Sequence, residues 1–225
     1  VQRILHEAGL RVPEQYASNL GEGLFLMEDF GEILLSSQLT ADTVDAYYSE
    51  ALEELVRLAV STASSVELPI FDECRIRDEL SVFPEWFLHN HLGLLESEIP
   101  ARVWHEIVGH LSAVFVRQTQ CVVHRDFHSR NIMCLEDRRL GIIDFQDAVL
   151  GPITYDPVSL LKDCYISWPR EDQLQWLECH RERLIDHGVP LPDTATFIRD
   201  FDLVGLQRHL RVLGVFARLC LRDQK

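Results

Sequence analysis

The sequence is short of positive charge. Its 225 residues hold 21 Lys and Arg against 36 Asp and Glu, a formal charge of −15. So acidic a chain lacks the basic patch that releases counterions from nucleic acid or docks on an anionic membrane, and neither is expected as a partner. No apolar run approaches the roughly 18 residues of a membrane-spanning helix. No basic start followed by an apolar core marks a leader. The cysteines (Cys74, Cys121, Cys134, Cys164, Cys179 and Cys220) form no C-x-x-C pair and lie far apart. They read as free thiols of a reducing, cytoplasmic setting rather than a disulfide framework. Internal repeats and low-complexity stretches are absent. Methionine is scarcer still: the chain has only Met27 and Met133 and opens Val1-Gln2-Arg3-Ile4, which reads as a piece of a longer or processed product.

What is present is ordinary for a folded protein. Hydrophobic residues make up 47% and charged residues 25%, which excludes disorder and fibrous classes and allows one large domain or two small ones. If such a chain handles an anion such as a nucleotide phosphate, a metal cation is expected to stand between them.

The pattern is helix-rich. Residues 1–9 read as the end of an amphipathic helix stopped by Gly9. Gly23–Phe30 is a short apolar run that reads as a buried strand leading into an acidic turn. Val44, Tyr48, Ala51, Leu52, Leu55 and Leu58 recur at helical spacing, with Asp42 as N-cap. Ile76, Leu80, Phe83 and Phe87 form a second stripe, interrupted at Pro84, and Val103, Ile107, Leu111 and Val114 a third. At Cys121-Val122-Val123 the pattern turns to strand. Ile132–Leu135 and Leu140–Ile143 then flank Glu136-Asp137-Arg138-Arg139 as a β-hairpin. Asp156-Pro157 reads as the N-cap and first position of another helix, and helices follow over about 171–187 and 194–221.

The polar chemistry gathers between His124 and Asp147. Asp126 and Asn131 lie in one loop, and the hairpin returns Asp144 beside Asn131. Two carboxylates and an amide oxygen make a hard-oxygen set suited to Mg²⁺, which keeps water and substrate phosphates in its shell. Phosphoryl transfer needs such a set, together with a carboxylate that orients the attacking hydroxyl. The segment His124-Arg125-Asp126-Phe127-His128-Ser129-Arg130-Asn131 matches H-R-D-x-x-x-x-N in register. Asp144-Phe145-Gln146 matches D-F-G at two of three places, with Gln146 in place of glycine.

On these residues the chain resembles the aminoglycoside and choline kinase-like phosphotransferases from about residue 10 to 221. The resemblance implies an α+β, protein-kinase-like fold, mostly a helical carboxy-terminal lobe with a small central hairpin. Residues 1–30 would be a remnant of the amino-terminal lobe and hinge, and residues 31–225 the catalytic lobe. Gly151-Pro152-Ile153-Thr154-Tyr155-Asp156, Ser159–Ile166 and Leu206–Phe216 further resemble the bacterial anomeric kinases of N-acetylmuramate and N-acetylglucosamine, which serve peptidoglycan recycling. The resemblance implies ATP and Mg²⁺ as cofactors and a small amino sugar as substrate; no protein partner is expected. It makes Asp126 the catalytic base and Asn131 and Asp144 the metal ligands. It assigns Met27, Glu28, Asp29 and Phe30 to the adenine hinge, with Met133 and Ile143 as the floor under the base. His128, Gln146, Asp147, Lys162, Asp163 and Arg208 fall on the sugar side. The family's glycine loop and strand lysine find no match before residue 30, the first lysine being Lys162, and the resemblance places Val1 within or just after the helix that bears the family's glutamate. The 225 residues alone are therefore expected to be inactive or very slow.

Other readings stand beside this one. His124, Asp126 and His128 spell H-x-D-x-H, a zinc pattern if they lay on a strand. Alternatively His124 is structural, Arg125 pairs with a buried carboxylate, and Asp156 is a helix cap and loop anchor. Trp86, Trp104 and Trp176 read as core or half-core, while Tyr165 and Trp168 are either packing residues or a sugar platform. A non-catalytic, kinase-derived binding domain is the alternative function, followed by a kinase of aminoglycoside, choline or homoserine.

Overall fold

The computed structural model describes residues 1–61, 68–137 and 139–223. Seven α-helices carry the mass among them: α1 (Gln2–Glu7), α2 (Val44–Val60), α3 (Glu73–Val82), α4 (Ala101–Arg117), α5 (Tyr155–Leu161), α6 (Arg170–Asp186) and α7 (Thr194–Leu221). Six short strands pair in three antiparallel ladders: β1 (Gln15–Asn19) with β2 (Leu24–Met27), β3 (Gln120–Val123) with β6 (Val149–Pro152), and β4 (Ile132–Cys134) with β5 (Leu140–Ile142). The architecture is α+β with helices dominant, as expected from the sequence.

Local chemistry sets the helix ends. The Asp72 carboxylate accepts the Arg75 N–H at the start of α3, and Asp193 accepts the Thr196 N–H at the start of α7, both at 2.9 Å. Such caps are each worth about 1 kcal/mol. After α3 the chain widens into a π-helical stretch, Phe83–His91, beginning at the interruption read at Pro84. Two caps differ from expectation. Thr43, not Asp42, precedes α2, and its hydroxyl accepts the Thr40 N–H and donates to the Gln38 carbonyl. Helix α5 begins at Tyr155, so Asp156 lies inside its first turn and its carboxylate is free for a distant task.

The core lies between the helices and the central ladders. Tyr48 of α2 meets Trp176 of α6 edge to face at 4.9 Å, and the Trp168 indole N–H donates to the Tyr48 hydroxyl. Trp168 is therefore a packing residue. Phe71, Phe115 and Tyr155 form a second aromatic group beneath the polar loop. Fully burying side chains of this size contributes about 1.5–3 kcal/mol each. Helix α7 comes so close to the end of α3 that a Cβ on Gly214 would lie 2.5 Å from the Val82 carbonyl oxygen.

The expectation of a buried strand over Gly23–Phe30 is corrected. Leu24, Phe25, Leu26 and Met27 are all exposed, and the β1 partner strand was not read from the sequence. An apolar run favours burial, but this one forms one side of a two-stranded ribbon whose faces other described residues leave uncovered. The central hairpin forms as expected, with Met133 opposite Gly141; Arg138 of its loop lies outside the described residues.

Candidate active site

Two loops leave the central ladders at neighbouring points. Residues 124–131 join β3 to β4, and residues 143–148 join β5 to β6. The Ile143 N–H donates to the Asn131 carbonyl at 3.1 Å, which ties the loops together. Asn131 and Asp144 consequently touch: the amide Nδ2 donates to Asp144 Oδ2 at 3.2 Å. The same Nδ2 donates to the Asp126 carbonyl at 3.1 Å. The amide nitrogen is thus engaged inside the loop, and its oxygen is the end suited to meet a cation. Gln146, at the glycine place of the motif, donates to Asp144 Oδ1 at 2.8 Å.

Both loops carry a residue in left-handed backbone conformation, Arg125 at φ 76° and Asp144 at φ 63°. Non-glycine residues enter that region at a cost of about 1–3 kcal/mol, so the surroundings must hold them there. At Arg125 they do. Asp156 accepts the His124 N–H at 2.6 Å and the Arg125 N–H at 3.0 Å. The Arg125 guanidinium pairs with Glu79 of α3, and its carbonyl accepts from Arg208 Nη1 of α7 at 2.8 Å. The Arg125 partner was anticipated as a carboxylate but could not be named, because Glu79 lies 46 residues away.

His124 is wholly buried and structural. Its Nε2 faces the Ile143 carbonyl at 3.0 Å, and its Nδ1 accepts the Asp126 N–H at 3.3 Å. Burial pushes its imidazole down to about 4, which keeps it neutral in this role. With both nitrogens occupied by backbone, the H-x-D-x-H zinc reading has no support. Among the described residues no group of three His, Cys, Asp or Glu gathers as a metal cluster. The amide–carboxylate pair fits instead a hard cation that takes few protein ligands.

Asp126 is partly buried. Burial pushes its carboxyl up, but Arg208, Arg211, His128 and Arg125 outweigh it and hold the group below the ordinary carboxylate range. His128 lies beside it, in a T-shaped contact with Tyr165 at 5.4 Å between ring centroids, and burial lowers its imidazole against the opposing pull of Asp163. The other residues placed on the sugar side scatter. Asp163 accepts the Ser129 N–H and hydroxyl at 3.0 and 2.5 Å, so its carboxylate braces the loop. Lys162 turns away to Asp202 at 2.7 Å and lies over the Phe201 ring. Asp147 is exposed at the second loop, and Arg208 is buried against the first.

The residues expected at the adenine hinge form a second cluster. Met27 ends the exposed ribbon, Glu28 pairs with Arg11, and Asp29 accepts the Gly31 N–H. Phe30 lies on the hairpin, where a Cβ at Gly141 would sit 2.6 Å from its ring carbons, so the contact requires glycine. Leu34 bridges Met133, which is buried, while Ile143 is half-buried. A cleft of about 610 Å³ opens between the 28–33 turn and the hairpin loop, lined by Arg11, Phe30, Ile33 and Leu135.

Residues 1–190 match the profile of APH, the phosphotransferase enzyme family. This chain belongs to that family. It is 39% identical over 227 residues to the N-acetylmuramate/N-acetylglucosamine kinase of Pseudomonas aeruginosa, covering 100% of this chain and 66% of the relative. The kinase of the same name from Neisseria meningitidis is 37% identical over 221 residues, at 96% and 66% coverage. The chain thus spans 66% of the length of these curated relatives. The fold is shared with aminoglycoside 2'-phosphotransferase-IIIa in its GDP complex, with TM-score 0.63, 19% identity and coverage of 99% and 75% of the two chains. It is also that of Plasmodium vivax ethanolamine kinase, with TM-score 0.66, 13% identity and 98% and 65% coverage.

Proposed function

We propose that this phosphotransferase chain carries the catalytic centre of a cytoplasmic, ATP-dependent kinase. The acceptor is the anomeric hydroxyl of N-acetylmuramate, N-acetylglucosamine or both, in peptidoglycan recycling. The observation that carries the proposal is the junction of Asp126, Asn131 and Asp144 on two tied loops. The names of the curated relatives supply the sugar, and solved phosphotransferases holding GDP or ADP support nucleotide use.

Asp126, ionised beside Arg208 and Arg211, orients the sugar hydroxyl and accepts its proton. As the hydroxyl oxygen bonds to the γ-phosphorus, the bond from that phosphorus to the bridging oxygen breaks, and ADP leaves. Asn131 and Asp144 would hold Mg²⁺, which when bound neutralises charge on the phosphates. Met27 to Phe30, Met133 and Ile143 form the adenine site in this reading. His128, Gln146 and Asp147 remain the residues proposed to face the sugar.

The test is an acceptor panel with the full-length gene product and Mg-ATP: N-acetylmuramate, N-acetylglucosamine, kanamycin and choline. Phosphate transfer to the amino sugars is expected. Transfer to kanamycin or choline alone would replace this reading with another small-molecule kinase.

A further inference from the structure

Arg208 reads from the sequence as a sugar-side residue, yet it is only 5% exposed. Its guanidinium forks between two groups of consecutive residues. Nη1 donates to the Arg125 carbonyl at 2.8 Å, and Nη2 lies 3.5 Å from Asp126 Oδ1. Its guanidinium carbon lies over the Tyr155 ring, 5.7 Å from the centroid. The Arg125 carbonyl belongs to the residue at φ 76°, whose N–H is already fixed by Asp156.

We infer that Arg208 is a positioning residue: it couples the left-handed Arg125 peptide to the Asp126 carboxylate and so sets the direction in which Asp126 presents its free oxygen. This rests on the proposed role of Asp126 and extends it to α7. A planar fork serves two acceptors at fixed spacing, whereas a lysine ammonium on a flexible stem brings charge without that geometry. The consequence is a division of labour among the basic residues. Arg208 shapes the base and leaves recognition of the sugar to other groups.

The test compares Arg208→Lys and Arg208→Gln in the full-length gene product, with Asp126→Asn in parallel, using Mg-ATP and N-acetylmuramate. Both Arg208 variants should lose kcat by about 10²-fold, the scale of a reacting group displaced by an ångström, while KM for sugar and ATP stays within about threefold. Full activity in Arg208→Lys would reduce the role to charge alone and overturn the inference. So would a rise in sugar KM at unchanged kcat, which marks a substrate contact. If Arg208→Gln does not fold, Arg208→Lys, which keeps the buried charge, decides; loss of fold in both makes Arg208 structural and also overturns it. An active Asp126→Asn enzyme, by contrast, overturns the underlying reading and not only this extension.

Discussion

The carboxylate of Asp156 holds two successive backbone N–H groups, those of His124 and Arg125, at 2.6 and 3.0 Å. A buried side chain on α5 thereby fixes the start of the loop that carries Asp126 and Asn131. Arg208 on α7 and Glu79 on α3 complete the grip. The polar loop is held by three helices distant from it in sequence.

Removing that carboxylate strands two buried donors. Asp156→Ala should destabilise the fold by about 1–3 kcal/mol for each donor left unpaired. Urea unfolding measures this, and an unchanged midpoint would show the loop to be held without Asp156.

The same group gives a pH signature. Burial pushes the Asp156 carboxyl up to about 7, against the pull of the two N–H groups and Arg208. Its folded value lies above its unfolded one, so its contribution to stability is full below the unfolded value and is lost as pH rises through about 7. Asp156→Asn does not titrate and keeps one acceptor oxygen. Its stability deficit against wild type should be larger at pH 5 than at pH 8. An equal deficit at both values contradicts the assignment.

Gly141 makes room for Phe30 on the hairpin. Gly141→Ala should displace the ring, cost about 1–3 kcal/mol through overpacking, and weaken ATP binding if the 27–30 turn is the hinge. Calorimetric titration of ATP into the full-length variant checks it; unaltered affinity removes the hinge assignment.

Much of this site was legible because its register is local. Asp126 and Asn131 share one loop, and a hairpin of short strands returns Asp144 to them, so spacing alone placed all three. Asp156 was legible as a loop anchor, but the N–H groups it holds were not, and neither were Glu79 and Arg208: all three reach the loop from other helices, and a sequence offers no measure of such distances. The exposure of Leu24 to Met27 was hidden for a related reason: apolar composition marks a surface that favours cover without revealing whether cover is present. Asp163 and Lys162 were assigned by polarity and position, and their carboxylate and ammonium prove to be engaged by Ser129 and Asp202.

Asp144 supplies the carboxylate of the proposed metal pair. Asp144→Ala should abolish the Mg²⁺-dependent part of ATP affinity and leave the Mg²⁺-independent part. Titration with and without Mg²⁺ separates the two, and an unchanged Mg²⁺ dependence moves the cation elsewhere.

The most direct measurement is single-turnover transfer from γ-labelled ATP to N-acetylmuramate by the full-length gene product and its Asp126→Asn variant. The account predicts a sugar phosphate from the wild type. It predicts a fall in the variant of about 10²–10⁴-fold, the contribution of a general base, with ATP binding retained. Equal rates in the two proteins would contradict it.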